Sequence, residues 1–507
     1  IAGWTAQKES VNTSLLAGNG YPNDLVHTMN AASAITSWSA TAYEWSLLSA
    51  LARVQYSYKG KYLLSAAARM DGSSRFGKNN RWGMFPSASA GWYISEEDFM
   101  KDIKWLTSLK LRASYGISGN FNIGNYEYYA TLSEDNYVFG KADGTLASGL
   151  RPATAGNPDL GWEKTAMFNL GLEIGLFNML TLELDLYNSN TTDMLLNVPV
   201  AEFSGFSTVP MNIGKVNNKG VEFAISTTNS WGDFTWNNRF NISANRNEVK
   251  DLGGVDEMIT TSESVTFITK VGEPIGNYYT LVTDGVFANQ AEIDNSKNPD
   301  KSQRKYAYVS GAKSGDFRFK DMDGNMEIDE NDRTITGNYM PKFTYGFSTE
   351  LKYKWFDLSI ALQGVQGNKI ANIFRRYIDN MEGGNNCQVD ALNRWQSESN
   401  PGSGYVVRAN RSATGMNGTT STWHIEDGSY MRIKNITFGY TLPKSLLTNV
   451  GISRARVYFS TQNPFTFTKY SGYNPEVNMK GGSLTPGIDY GTYPLSKSFV
   501  FGLNVTF

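Results

Sequence analysis

From Leu180 to Tyr187 the chain alternates one for one: Leu180, Leu182, Leu184 and Leu186 against Thr181, Glu183, Asp185 and Tyr187. A period of two puts alternate side chains on opposite faces of a strand, so this segment is greasy on one side and charged on the other. The last ten residues repeat the pattern. Phe499, Phe501, Leu503, Val505 and Phe507 share one face, and Ser498, Gly502, Asn504 and Thr506 fall mostly on the other. Taken alone, the terminal segment suits an edge strand of a soluble sandwich as well as a barrel strand in lipid. Glu183 and Asp185 tip the balance, because a water-filled lumen hydrates carboxylates opposite a Leu face and a packed sandwich interior does not.

Similar segments come as hairpins. Phe168 to Ile174 precedes Leu180 to Leu186 through a tight connection at Phe177 to Met179, and Phe343 to Lys352 meets Phe356 to Gln363 through Tyr353 to Trp355. Val54 to Tyr58 and Tyr62 to Met70 flank Lys59-Gly60, and Val221 to Thr228 and Phe234 to Ala244 flank Ser230 to Asp233. Between hairpins lie long segments, about Ser118 to Thr165, Asn245 to Met340 and Gly367 to Gly428, far beyond the usual loop of about 4 to 6 residues. Short turns alternating with long loops suit an outer-membrane barrel. The pattern predicts an all-β, transmembrane antiparallel barrel with roughly 14 to 16 strands in this chain and no domain boundary across residues 1–507. The long segments are rich in Asn, Gly, Ser, Asp and Tyr, as at Gly383 to Asn386 and Gly415 to Thr422. Their aromatics, among them Tyr126, Tyr128, Tyr129, Trp162, Tyr278 and Tyr279, suit stacking on sugars or peptides, and equally suit packing the loops or forming an interfacial girdle.

Global properties mainly exclude. No apolar run reaches the roughly 18 residues a membrane helix needs, and mean hydropathy is -0.38, a low value that a barrel with polar lumen and loops also shows. A net charge of -2 offers no basic field for nucleic acid. The single cysteine, Cys387, excludes an internal disulfide and a Cys-rich metal site, and the two histidines, His27 and His424, match no zinc or triad spacing and read as ordinary loop residues.

The wording of the chain adds a resemblance. Asp71-Gly-Ser-Ser-Arg-Phe-Gly77, Asn80-Arg-Trp-Gly83, Phe85-Pro-Ser-Ala-Ser89 and Leu109-Lys-Leu-Arg-Ala-Ser-Tyr-Gly116 resemble phrases of the SusC/RagA family of TonB-dependent outer-membrane transporters. So do Asn157-Pro-Asp-Leu160, Asn218-Lys-Gly-Val-Glu222, Asp321 to Thr334, Pro341-Lys-Phe-Thr-Tyr-Gly346, Glu426-Asp-Gly-Ser-Tyr430, Gly439-Tyr-Thr-Leu-Pro443 and Gly472-Tyr-Asn-Pro-Glu476, in the same order. The resemblance implies a barrel of about 22 strands around an N-terminal plug. It further implies TonB-energised import of oligosaccharides or oligopeptides under a SusD-like surface lipoprotein. Family chains are about twice this length. No signal peptide, plug or TonB box is present, Ile1 to Glu9 resemble barrel interior, and the expectation is the C-terminal part of such a transporter, with Phe507 on the closing strand and the first strands supplied elsewhere. Rival expectations are a passive porin, an outer-membrane enzyme, for which no nucleophile–base spacing is found, and the barrel of a surface or secretion complex.

One segment suggests bound chemistry. Asp321, Asp323, Asn325, Asp329 and Asp332 fall at positions one, three, five, nine and twelve of a loop resembling an EF-hand or dockerin calcium loop, with the position-seven carbonyl from Glu327. Met326 stands where a glycine would ease the turn, and Asp332 where a longer glutamate is usual. The expectation is a structural Ca2+; the alternative is an Asx-rich turn held by local hydrogen bonds.

Overall fold

The computed structural model describes residues 1–26, 28–140, 144–379, 381, 385–410, 412, 414–447, 451–477 and 482–507; His27, Gly383 and Gly384 lie outside them. Fourteen strands form one sheet in which each is hydrogen-bonded to the next in chain order. They are β1 (Ala2–Asn19), β2 (Ala34–Tyr58), β3 (Tyr62–Ser73), β4 (Trp82–Tyr93), β5 (Leu106–Asn120), β6 (Glu163–Leu176), β7 (Leu180–Thr192), β8 (Lys215–Trp231), β9 (Phe234–Asp251), β10 (Phe343–Tyr353), β11 (Phe356–Gln366), β12 (Tyr430–Thr441), β13 (Arg454–Thr468) and β14 (Ser498–Thr506). Contacts divide the chain into two compact units. One comprises Ile1–Tyr93, Arg112–Leu170 and Asn188–Val216; the other comprises Ile94–Leu111, Gly171–Tyr187 and Asn217–Phe507.

Every hairpin expected from the alternation is present, and the turns explain themselves. Lys59 and Gly60 both have positive φ (51° and 69°), as do Phe177 and Asn178 (56° and 57°), the backbone of a two-residue turn whose twist matches its flanking strands. β2 is the main departure. It begins at Ala34, twenty residues before the Val54 start read from the pattern, because the Ser and Ala residues between Ala34 and Ser46 carry no alternation, yet this stretch pairs with β1 from Lys8 to Asn19.

Within the first unit, antiparallel pairing sets Val54 opposite Ala66, Tyr56 opposite Leu64 and Leu64 opposite Ala90, an exposed apolar face. At its turn end Tyr58, Tyr62 and Trp92 stack with centroids 6.3 and 6.4 Å apart, an aromatic band of the kind found at a membrane interface. The opposite face carries Arg53, Ser65, Ser87 and Ser89. Within the second unit, β10 to β14 repeat the division. Phe356, Phe438, Phe459 and Phe501 line the outer face with ring contacts of 5.9 Å (Phe356–Phe438) and 4.9 Å (Phe459–Phe501). Glu350, Lys352, Asp357, Arg456 and Asn504 line a polar groove of about 570 Å³ on the inner one. Arg456 pairs with Asp357 there.

On the inner face several large side chains lie flat across glycines of the neighbouring strand: Tyr458 over Gly502, Tyr187 over Gly220 and Phe85 over Gly119, each so close that a Cβ on the glycine would enter the ring. The long connections fall within a few residues of expectation, at residues 121–162, 252–342 and 367–429. Residues 20–33, 193–214 and 469–497 are further long connections that the pattern did not mark. Those of the second unit fold on themselves around two buried clusters. One holds Phe287, Ile293, Phe317 and Ile328; the other holds Val265, Phe267, Tyr278, Ile373 and Ile488.

Candidate functional site

The second unit ties its last loop to the polar face of its own wall. Gln363 lies two places along from Ala361 and four from Ser359 on the inner face of β11, and it pairs in register with Arg432 on β12. Arg432 is 1% exposed, so its charge must be met by protein. It is met fully: Nε donates to Thr466 Oγ1 (2.9 Å), one Nη to Asn474 Oδ1 (2.8 Å) and the other to Glu476. Tyr430 also donates to Glu476, at 2.7 Å, and so does Gln363. Burial alone would raise the Glu476 pKa, but the Tyr430 hydroxyl and the Arg432 guanidinium together hold it below the usual carboxylate range. Residues 474–477 are thereby pinned against the wall. A bulge between Ile433 and Asn435 leaves Lys434 out of the ladder beside this network.

Further bonds knit the loops together. Tyr339 donates to the Val477 carbonyl (2.6 Å), Tyr278 to the carbonyls of Gly487 (2.9 Å) and Lys369 (3.2 Å), and Tyr470 to Asp489. Burial raises the Tyr278 phenol far above its ordinary value, so it acts only as a neutral donor. Two of the aromatics picked out in the sequence are therefore structural: Tyr278 is fully buried, and Trp162 is buried against Phe76 and Phe85 with Nε1 donating to the Arg81 carbonyl. Tyr126 and Tyr129 are exposed. His424, read as an ordinary loop residue, is in fact 1% exposed, its Nδ1 accepting from the Ser421 amide. Burial and the nearby Arg375 and Arg376 push its pKa down to about 3. Cys387 is an exposed free thiol.

Three carboxylates of the acidic loop converge. Carboxylate oxygens of Asp321, Asp323 and Asp332 lie within 4.8 Å of one another. Among the described residues none of the three is paired with Lys or Arg. Asp321 accepts from the amides of Gly324 (2.8 Å) and Met326 (2.8 Å); Asp332, wholly buried, accepts from Met322 (2.7 Å) and Asp329 (2.8 Å). Burial opposes ionisation of Asp321, yet these amides hold its pKa below the ordinary value. The side chains of Asn325 and Asp329 cap the amides of Glu327 (2.6 Å) and Asn331 (2.7 Å), and the Glu327 carboxylate turns away to Lys301 (3.0 Å). Met326 does not break the turn: it takes φ 62°, and its carbonyl is held by the Tyr308 amide and Arg304. Ile328, two places on, anchors the loop in the Phe287 cluster.

A wall of alternating strands with one lipid-type face and one polar face, capped by packed loops, finds its counterpart in known proteins. Residues 4–463 match the family model described as TonB dependent receptor-like, beta-barrel. The chain belongs to this family of outer-membrane β-barrels. It is 35% identical over 523 residues to TonB-dependent receptor P3 of Formosa agariphila, covering all of this chain and 50% of that protein. It is 33% identical over 484 residues to TonB-dependent receptor SusC of Bacteroides thetaiotaomicron, covering 92% of this chain and 44% of that one. Among solved structures, the RagAB peptide transporter superposes with a TM-score of 0.79 at 28% identity, over all of this chain and 53% of that chain. The chain thus spans about half the length of these relatives. Of these relatives, RagAB is a peptide transporter.

Proposed function

We propose that this chain is the wall and loop layer of a transporter that imports oligosaccharides or oligopeptides across the outer membrane, energised through TonB and capped by a SusD-like surface lipoprotein. The observation that carries the reading is the stretch 474–477 of the last loop, which the bonds from Arg432 to Asn474 and Glu476 hold on the polar face of the wall; an importer needs such groups where solutes pass. Likeness to SusC and to the RagAB peptide transporter over nearly the whole chain supports it. The test is uptake of radiolabelled glycan and peptide pools by the native host with the gene deleted and restored, with and without TonB. Uptake that persists without TonB sinks the reading.

The acidic loop holds a structural Ca2+ in this proposal. The three converged carboxylates repel one another, and a hard cation offsets that repulsion. Asp321, Asp323 and Asp332 supply carboxylate ligands, Asn325 its amide oxygen, Glu327 its carbonyl, and Asp329 the remaining position. Calcium titration of the full-length protein against the Asp321→Ala variant decides; equal binding by both removes the site.

A further inference from the structure

The polar face of the first unit carries an apolar hollow, toward the loop ends of β3 and β5. It holds about 330 Å³ and is walled by Leu47, Phe85, Ile117, Phe121 and Trp162. Strand register explains the gathering. Arg69 lies opposite Phe85 and Asp71 opposite Ser49, while Leu47, two places from Ser49, lies opposite Ser73, so all of these share one face. Phe85 and Trp162 belong to a buried cluster with Phe76 and Leu160, and Leu47, Ile117 and Phe121, only partly buried, pack against it. Trp162 is further fixed by its bond to the Arg81 carbonyl. The charged residues of the lining bond one another: Asp71 accepts twice from Arg69 Nε (2.7 and 2.9 Å), and Arg69 Nη2 donates to Ser49 (3.0 Å). Beside the hollow lies a groove of about 570 Å³ whose polar lining includes Arg53, Ser65, Ser87, Ser89, Thr165 and Asn169. Ile117 and Ser118 line both, so hollow and groove adjoin.

We infer that this hollow takes an apolar side chain of an oligopeptide whose backbone lies along the adjoining groove. The inference rests on the importer reading above and narrows its solute. A hollow of this size, walled by apolar and aromatic residues with a few polar groups, is the usual form of a small-ligand site. Its chemistry separates the two solute classes. Hydroxyls project all round a sugar ring, and those entering the hollow would meet Leu47, Ile117 and ring carbons, losing their water without gaining a partner. An aliphatic or aromatic side chain has no such groups and gains from the same burial. The groove supplies what a peptide backbone needs, because hydroxyl and amide side chains donate to its carbonyls and accept from its N–H groups. Side-chain pockets beside a surface that holds the backbone are a recurring mode of peptide recognition.

The test uses the full-length transporter in detergent and three probes: a hexapeptide pool containing Phe, Leu, Ile and Val, a matched pool with Ser and Asn in their place, and maltohexaose. In isothermal calorimetry, with the heat of protein-free micelles subtracted, the apolar pool is expected to bind about tenfold more tightly than the polar pool, or better. Leu47→Trp, which fills the hollow, and Leu47→Asn, which puts an amide in its wall, should each remove most of that difference. Unchanged hydrogen exchange in β3 to β5 shows that a variant is folded, and the comparison of pools on the wild-type protein stands whatever the variants do. Four results overturn the inference: equal binding of the two pools, binding of maltohexaose alone, no binding of any probe, or a preference for the apolar pool that the folded variants keep. TonB-dependent uptake of glycans or of polar peptides in any of these cases leaves the importer reading standing; uptake that persists without TonB removes that reading.

Discussion

Replacing Arg432 by alanine tests the anchoring of the last loop most directly. The guanidinium is fully buried, donates to Thr466, Asn474 and Glu476, and lies over the Tyr430 ring at 5.1 Å. Its loss leaves the Glu476 carboxylate, whose side chain is 36% exposed, with the Tyr430 hydroxyl, Gln363 and solvent. Because the carboxylate left behind reaches water, the cost is that of a lost charge-assisted hydrogen bond, about 1.5 to 3 kcal/mol, rather than that of an orphaned buried charge. The cost falls on the contact between loop and wall, because the β12 ladder to β11 and β13 does not depend on this side chain. At tenfold per 1.4 kcal/mol, the low end corresponds to roughly a tenfold rise in the open population of residues 470–477. Hydrogen exchange followed by mass spectrometry should show that rise in peptides covering 470–477 while peptides from β12 keep their protection. Replacing both partners, Arg432→Met with Glu476→Leu, should recover much of the protection, since no buried charge is then left alone. Equal exchange in the wild type and Arg432→Ala would refute the idea that this network holds the loop.

Three further outcomes are expected. His424 has a folded pKa of about 3 against 6.5 when unfolded, so its contribution is intact above pH 6.5 and is lost progressively as pH falls from 6.5 toward 3. The loss is about 2 kcal/mol at pH 5, read as faster exchange around residues 421–426, and a His424→Gln variant should show a weaker acid effect. Met326→Gly relieves a left-handed backbone and should strengthen calcium binding by about 1 kcal/mol in titration calorimetry; weaker binding would contradict the turn geometry. Gly502→Val forces Tyr458 off its neighbour and should lower the temperature at which the barrel loses its folded mobility in gel electrophoresis, whereas Gly3→Ala, where the nearest atom to an added Cβ is Leu51 Cγ at 4.0 Å, should change it little.

Strand alternation made the wall legible. The hairpins at Lys59, Phe177, Gly232 and Lys354 lie where polar and apolar residues exchange places every residue, and the three longest loops lie where that alternation stops. The early part of β2 was invisible, because Ser and Ala carry almost no contrast between faces. Within the loops the acidic segment was readable from its oxygen spacing, down to the convergence of Asp321, Asp323 and Asp332. The left-handed Met326 was not, since neighbours rather than its own preference hold it. The burial of His424 and Tyr278, and the exposure of Tyr473 and Tyr377, depend on which distant segments pack together, and no local pattern encodes that.

The side chains that lie across glycines shape the polar face of the wall. Tyr458, Tyr187 and Phe85 each cover a glycine of the neighbouring strand, in the space that a Cβ would otherwise fill. The glycines act as recesses, so the wall keeps aromatic contact area between its strands while presenting a low-relief surface. The relief of the polar face is therefore set as much by its glycines as by its aromatics, and filling one recess, as Gly502→Val does, displaces the ring that lies across it.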